Sequence, residues 1–263
     1  MQQGESLIKQ EFHIKHPYLF VGILELVVIA VAISVGTVVK KLGFPIYTLY
    51  GGMLLILTTI TALILKKMSW WKTIGFRELH KKDLYLLIIP AVPMVGNLFG
   101  SYRLLELGFY IYYLLLTIMS GFLEEGLYRG VMLRVLLQKG TWRAVIITSL
   151  IFSLSHIMNA FAGWVWQHVI LQLIYSFAIG FGWAAFALRT GTIWPLMTIH
   201  FLNNFFSFIK TENLIKTLQT SKPTIEGTVY SVVLSIVFII YGIIVTRSYM
   251  RIEKQKQNNQ NDQ

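Results

Sequence analysis

Residues 121–130 read GFLEEGLYRG and follow the apolar run FYIYYLLLTIMS. Two adjacent glutamates and an arginine at the end of such a stretch need partners. An ionised side chain near a bilayer centre costs from about 3 to more than 10 kcal/mol. On a helix, residues four apart share a face. Glu125 and Arg129 have that spacing and can pair, with the acid N-terminal to the base. Glu124 points about 100° away and is left to face a cavity, where a carboxylate can serve as general base or acid. The plainer alternative is a helix end emerging at the interface with both acids solvated.

Two further apolar runs carry polar side chains. FSLSHIMN places His156 one turn beyond Phe152 on the same face, and alone it would be an interhelical hydrogen-bonding group. In WPLMTIHFLNNFF, His200 and Asn204 share a face, while Asn203 points elsewhere. Glu124, His156, and His200 with Asn204 therefore suit one pocket. A glutamate and a histidine can hold and deprotonate a water, and a second histidine with an amide can stabilise an oxyanion. Equally, Glu124, His156 and His200 around an open position make a reasonable zinc–water site. Both readings lead to hydrolysis of an amide bond. The other hydrolase designs fail on residue types. There is no cysteine, and the only aspartates are Asp83 and Asp262, which rules out a membrane aspartyl dyad. Neither H-E-x-x-H nor G-x-S-x-G occurs.

The elements that must hold these groups are read from hydropathy. The chain of 263 residues is 55% hydrophobic and 13% charged, whereas a soluble domain carries about 25% charged residues. Several apolar runs of about 20 residues make it an all-α, polytopic membrane bundle. Eight spans are expected, near 17–39, 44–65, 84–101, 105–137, 142–159, 164–188, 191–209 and 226–246, the third interrupted by Pro90 and Pro93. The first run is read as a span rather than a cleavable signal, being too long for a signal core. With the N-terminus inside, the outer side keeps only Lys40, Lys41, Arg103, Lys210, Lys216 and Lys222, and every other Lys and Arg, from Lys9 onward, lies inside. That asymmetry predicts cytoplasmic termini and an even number of spans. The net charge of +11 is read as a topology signal with attraction to anionic lipid, not as nucleic-acid binding. Residues 1–246 form one membrane domain, and 247–263 a polar, disordered cytoplasmic tail.

The remaining polar features have structural readings. Glu25 is expected to be paired inside the bundle. His13, His16 and His80 lie in aqueous or interfacial segments, and His168 stands near the start of the sixth span. SWWKTIGFRELHKKD is an interfacial segment with its tryptophans at headgroup level. GFGW at 180–183 permits close helix packing.

E-E-G-L-Y-R at 124–129, F-S-L-S-H at 152–156 and H-F-L-N-N at 200–204 have the forms E-E-x-x-x-R, F-x-x-x-H and H-x-x-x-N. In that order on successive membrane helices they resemble the CPBP (Abi) family of intramembrane proteases. That family includes CAAX prenyl endopeptidases and bacterial bacteriocin-processing and self-immunity proteins. The motif core covers about 120–209. The resemblance implies an eight-helix bundle in which Glu124 and His156 activate water, His200 and Asn204 form the oxyanion site, and Glu125 and Arg129 brace the motif. It leaves open a zinc ion among Glu124, His156 and His200. The function expected is endopeptidase action on a membrane-associated peptide or protein in a bacterial plasma membrane, with leader or bacteriocin processing favoured over prenylated substrates. The alternative is an immunity or scaffold protein that binds without catalysis. A small transporter using Glu and His as a proton relay is weakened by the lack of an internal repeat.

Overall fold

The computed structural model describes residues 12–44, 46–67, 69–210 and 214–261; Lys9 and Asp262 lie outside the described residues. Helix α1, Pro17–Lys41, starts with proline in its first turn and ends on Lys40 and Lys41, and α2 spans Ile46–Lys67. Next come a 3₁₀ segment at Lys81–Leu87 and the short α3, Val92–Asn97. Helix α4, Leu107–Glu124, runs without a break into a π-helical segment, Glu125–Met132, and then α5, Leu133–Leu136. After a turn at Gly140 follow α6, Thr141–Ser155, and α7, Met158–Phe161. Helix α8, Trp166–Thr190, is closed by Gly191 in the left-handed conformation that glycine adopts freely. The last three are α9, Trp194–Phe208, α10, Leu214–Thr220, and α11, Ile225–Asn261.

Among the described residues, six stretches are long and apolar enough to cross a membrane: Pro17–Lys41, Leu49–Lys67, Leu107–Lys139, Thr141–Phe161, Trp166–Thr190 and Ile225–Gln260. Their outward faces carry exposed Leu26, Leu63, Ile170, Ile236 and Ile244, as a lipid-facing surface requires. The protein is an integral, multi-pass membrane protein.

Two of the eight expected spans take another form. The 84–101 run is not one helix, because Pro90 and Pro93 lack N–H donors and bias the residues before them away from α geometry. The broken segment is satisfied by its neighbours. Tyr241 Oη on α11 donates to the Leu86 carbonyl at 2.8 Å, and Asp83 pairs with Arg189 of α8 at 3.4 Å. Helix α9 has only 15 residues, about 22 Å of rise. The tail expected to be disordered continues α11 to Asn261, as a run of Lys, Glu and Gln, all good helix formers, allows, with a Glu253–Lys256 pair at 2.8 Å.

Hydrogen bonds gather the connections at two opposite ends. At one, Thr192 Oγ1 donates to the carbonyls of Gly75 and Arg77 at 3.0 and 2.8 Å, Ile193 N donates to Gly75 O, and Arg134 reaches Gly191 O. The aromatic segment at 69–80 is thereby docked against the α8–α9 turn. At the other end, Arg103 N donates to Ile209 O and Val165 N to Leu218 O. Helix α8 is the core, packed between α6 and α11. The GFGW stretch does allow close packing: a Cβ at Gly182 would stand 2.6 Å from the Phe238 ring. Helix α9 lies against α4, where a Cβ at Gly121 would meet the Met197 carbonyl at 2.7 Å.

Candidate active site

The paired glutamates sit where the long helix changes from α to π geometry. Glu124 closes α4 and Glu125 opens the π segment, a local widening common at functional sites. The two carboxylates meet different surroundings. Glu125 is fully buried, and its Oε1 accepts from Arg129 Nη1 at 3.0 Å and from His200 Nδ1 at 2.9 Å. The Arg129 guanidinium stacks 4.1 Å from the Phe152 ring centroid, with the Trp183 ring on another side. This pairing is the one the four-residue spacing predicts.

Glu124 keeps a quarter of its side chain exposed. Its Oε1 accepts from Ser120 Oγ at 2.9 Å, and its Oε2 stands 3.7 Å from His200 Nε2. Ser120, one turn earlier on α4, was not singled out from sequence, where a serine in an apolar helix reads as a backbone-bonded hydroxyl. Asn204 Nδ2 donates to the same Ser120 hydroxyl at 3.3 Å. Asn204 thus faces the site, but its amide goes to Ser120 and not to His200.

His156 ends α6. Its Nδ1 lies 2.8 Å from the Phe152 carbonyl, and its ring stands edge-on to Phe152 at 5.0 Å. A carbonyl can only accept, so Nδ1 carries the proton and Nε2 is left with its lone pair. Among the described residues no hydrogen bond joins His156 to Glu124 or to His200.

The donor types suit zinc: Glu125 on His200 Nδ1 and the Phe152 carbonyl on His156 Nδ1 are the outer partners that ligating imidazoles carry. The spacing does not. Among the described residues no three His, Asp or Glu side chains are gathered closely enough to hold an ion.

Glu25 has the partner that the sequence does not name, since Tyr128 Oη donates to its Oε2 at 3.0 Å. Tyr128 lies inside the E-E-x-x-x-R motif, whose polar residues thus reach four neighbouring helices, α1, α6, α8 and α9.

Residues 106–206, which hold every residue just described except Glu25, match the family model described as Rce1-like, type II CAAX prenyl endopeptidase. Over this segment the chain is similar to type II CAAX prenyl endopeptidases. The match agrees with the resemblance to the CPBP family read from the three motifs. No curated protein and no solved structure matches the chain.

Proposed function

We propose that the protein is an intramembrane endopeptidase in which Glu124 and His156 activate the attacking water, and His200 and Asn204 stabilise the oxyanion. The observation that carries the reading is the partner of each Nδ1, the Phe152 carbonyl at 2.8 Å for His156 and the Glu125 carboxylate at 2.9 Å for His200. With its Nδ1 proton committed to Phe152, His156 offers Nε2 as a base. With its Nδ1 proton committed to Glu125, His200 can donate through Nε2 only as an imidazolium, and carboxylates stand at both of its nitrogens to favour that form.

The reaction then runs in ordinary steps. Glu124, assisted by His156, takes a proton from water as the hydroxyl oxygen bonds to the scissile carbonyl carbon. The charge that develops on the carbonyl oxygen accepts N–H bonds from Asn204 Nδ2 and His200 Nε2. Collapse breaks the C–N bond, and the proton held by Glu124 passes to the departing amine. Buried Glu125 and Arg129 hold His200 in orientation and do not meet the substrate.

The substrate is a peptide or protein segment lying in or at the bilayer of a bacterial plasma membrane, with processing of a leader or bacteriocin preferred by analogy of family alone. Both termini are cytoplasmic, as the excess of Lys and Arg on one side supports, and residues 1–246 act as one protease domain.

The test is to purify wild type beside Glu124→Ala, His156→Ala and His200→Ala, confirm equal folding, and measure bound zinc and cleavage of a peptide library. Loss of cleavage in all three without zinc in the wild type supports the mechanism above. Zinc bound by wild type and lost with activity would replace it by metal activation through the same Nε2 atoms. Equal behaviour of all four proteins, with protection against a bacteriocin kept in cells, would replace the protease by a binding protein.

A further inference from the structure

A line of side-chain hydrogen bonds runs from Lys210, just past the end of α9, to Glu124. Lys210 Nζ donates to Asn97 Oδ1 at 2.9 Å, and Asn97 Nδ2 donates to Asn203 Oδ1 at 2.9 Å. Asn203 Nδ2 donates to Asn204 Oδ1 at 3.3 Å, and Asn204 Nδ2 donates to Ser120 Oγ at 3.3 Å. Ser120 Oγ donates to Glu124 Oε1 at 2.9 Å. Every donor points the same way, and the two ends make that direction obligatory. An ammonium has only donors, and an ionised carboxylate has only acceptors.

An asparagine amide is almost symmetric in shape, so nothing in packing alone tells its oxygen from its nitrogen. Here the distinction is imposed from Lys210. Its N–H fixes the oxygen of Asn97, which fixes Asn203, which turns the oxygen of Asn204 away from Glu124 and its NH₂ toward it. We infer that Lys210, Asn97 and Asn203 are positioning residues that orient the Asn204 amide as a donor at the reaction centre. The inference rests on the reading of Asn204 as an oxyanion donor. A flipped Asn204 would present an oxygen to the forming oxyanion, which repels it.

Lys210 is itself held in place. Tyr102 pairs with it through an isolated backbone bridge, Tyr102 Oη donates to the Asn97 carbonyl at 2.9 Å, and Arg103 Nη2 donates to the Phe208 carbonyl. The broken 84–101 segment acquires a role from this: it ends where Asn97 can join the outer end of α9 to its middle.

The experiment compares Lys210→Arg with Lys210→Glu in the full chain, in lipid nanodiscs. Arginine keeps a donor-only end. Glutamate makes both ends acceptors, so one amide in the line must turn or lose its bond. The first readout is the side-chain ¹⁵N–¹H₂ resonance of Asn204, assigned with Asn204→Asp and needing no substrate. It is expected to coincide in wild type and Lys210→Arg and to move in Lys210→Glu; identical spectra in all three would overturn the inference. The second is cleavage, with Glu124→Gln as the inactive control. Lys210→Glu should lower kcat about tenfold, the worth of one hydrogen bond, with KM unchanged, and Lys210→Arg should restore it. A residue that merely anchors the loop would lower thermal stability in Lys210→Glu and leave kcat of the folded protein alone, which would also overturn the inference. If wild type cleaves nothing, the protease reading fails, while the resonance still decides whether Lys210 sets the amide.

Discussion

Adjacent in the chain, Glu124 and Glu125 belong to two regions of opposite character. Around Glu125 the site is closed. The carboxylate is fully buried, and Arg129, His200 and the rings of Phe152 and Trp183 surround its pair. Around Glu124 it is open: a quarter of the side chain is exposed, the carboxylate accepts from the Ser120 hydroxyl, and the nearest imidazole nitrogen stands at 3.7 Å. A buried ion pair contributes orientation more than stability, because desolvation offsets most of its attraction. A partly exposed carboxylate can exchange a proton and meet a substrate. On the proposed mechanism one motif supplies both the brace and the reagent, separated by about 100° of helix.

The largest expected effect tests that division directly. Glu124→Gln removes the base and should reduce cleavage about 10²–10⁴-fold, with the thermal midpoint unchanged. Glu125→Gln should do the reverse in kind: it leaves Arg129 as a buried unpaired cation and lowers the midpoint. Thermal unfolding in nanodiscs beside single-turnover cleavage checks both. If the two variants lose cleavage equally at full stability, the division is wrong.

Arg129→Met comes next. Stranding Glu125 without its cation should cost about 3–5 kcal/mol of stability, and the double variant Glu125→Gln/Arg129→Met should recover most of it, as apolar replacement of a buried pair often does. A denaturant midpoint for each corner of this cycle measures the coupling. Additive losses would mean that the pair is not a unit and that Arg129 matters through its packing on Phe152.

A smaller effect concerns how the two regions are pressed together. A methyl group at Gly121 would meet the backbone of α9, the Met197 carbonyl at 2.7 Å and the Phe201 nitrogen at 3.2 Å, whereas one at Gly126 would meet nothing within 4 Å. Gly121→Ala should therefore destabilise by about 1–3 kcal/mol through overpacking and pull Asn204 away from Ser120, while Gly126→Ala is neutral. Melting and cleavage of the two variants side by side would contradict the account if Gly126→Ala proved the worse.

What could be read in the sequence was whatever depends on short periods. The four-residue spacing of Glu125 and Arg129 gave their ion pair, and apolar run length gave eight spans, six of which are membrane-competent helices among the described residues. The prolines that made the 84–101 run suspect are the cause of its break. Relations across helices were not legible. Nothing near Glu25 names Tyr128, 103 residues away, as its partner, and nothing near Lys210 names Asn97. Ser120 was hidden because a hydroxyl in an apolar helix usually bonds its own backbone, as Thr117 does three residues earlier. The π segment was hidden because its residues carry no distinct composition. The tail shows the limit of composition in the other direction: few apolar residues argue against a packed core, not against a helix that extends one already formed.

The smallest effect lies at Phe152, which touches both regions. Its ring lies 4.1 Å from the Arg129 Cζ and 5.0 Å from the His156 ring, and its carbonyl accepts from His156 Nδ1. Phe152→Leu removes the ring and keeps the carbonyl, so it separates the two contributions. Loss of a desolvated cation–π contact should lower stability by about 1–2 kcal/mol. The tautomer of His156, set by the backbone, is unaffected, so cleavage by the folded protein should stay within a few-fold of wild type. A stable Phe152→Leu protein with cleavage as low as that of Glu124→Gln would show instead that the ring orients His156, and that the closed region reaches into the chemistry of the open one.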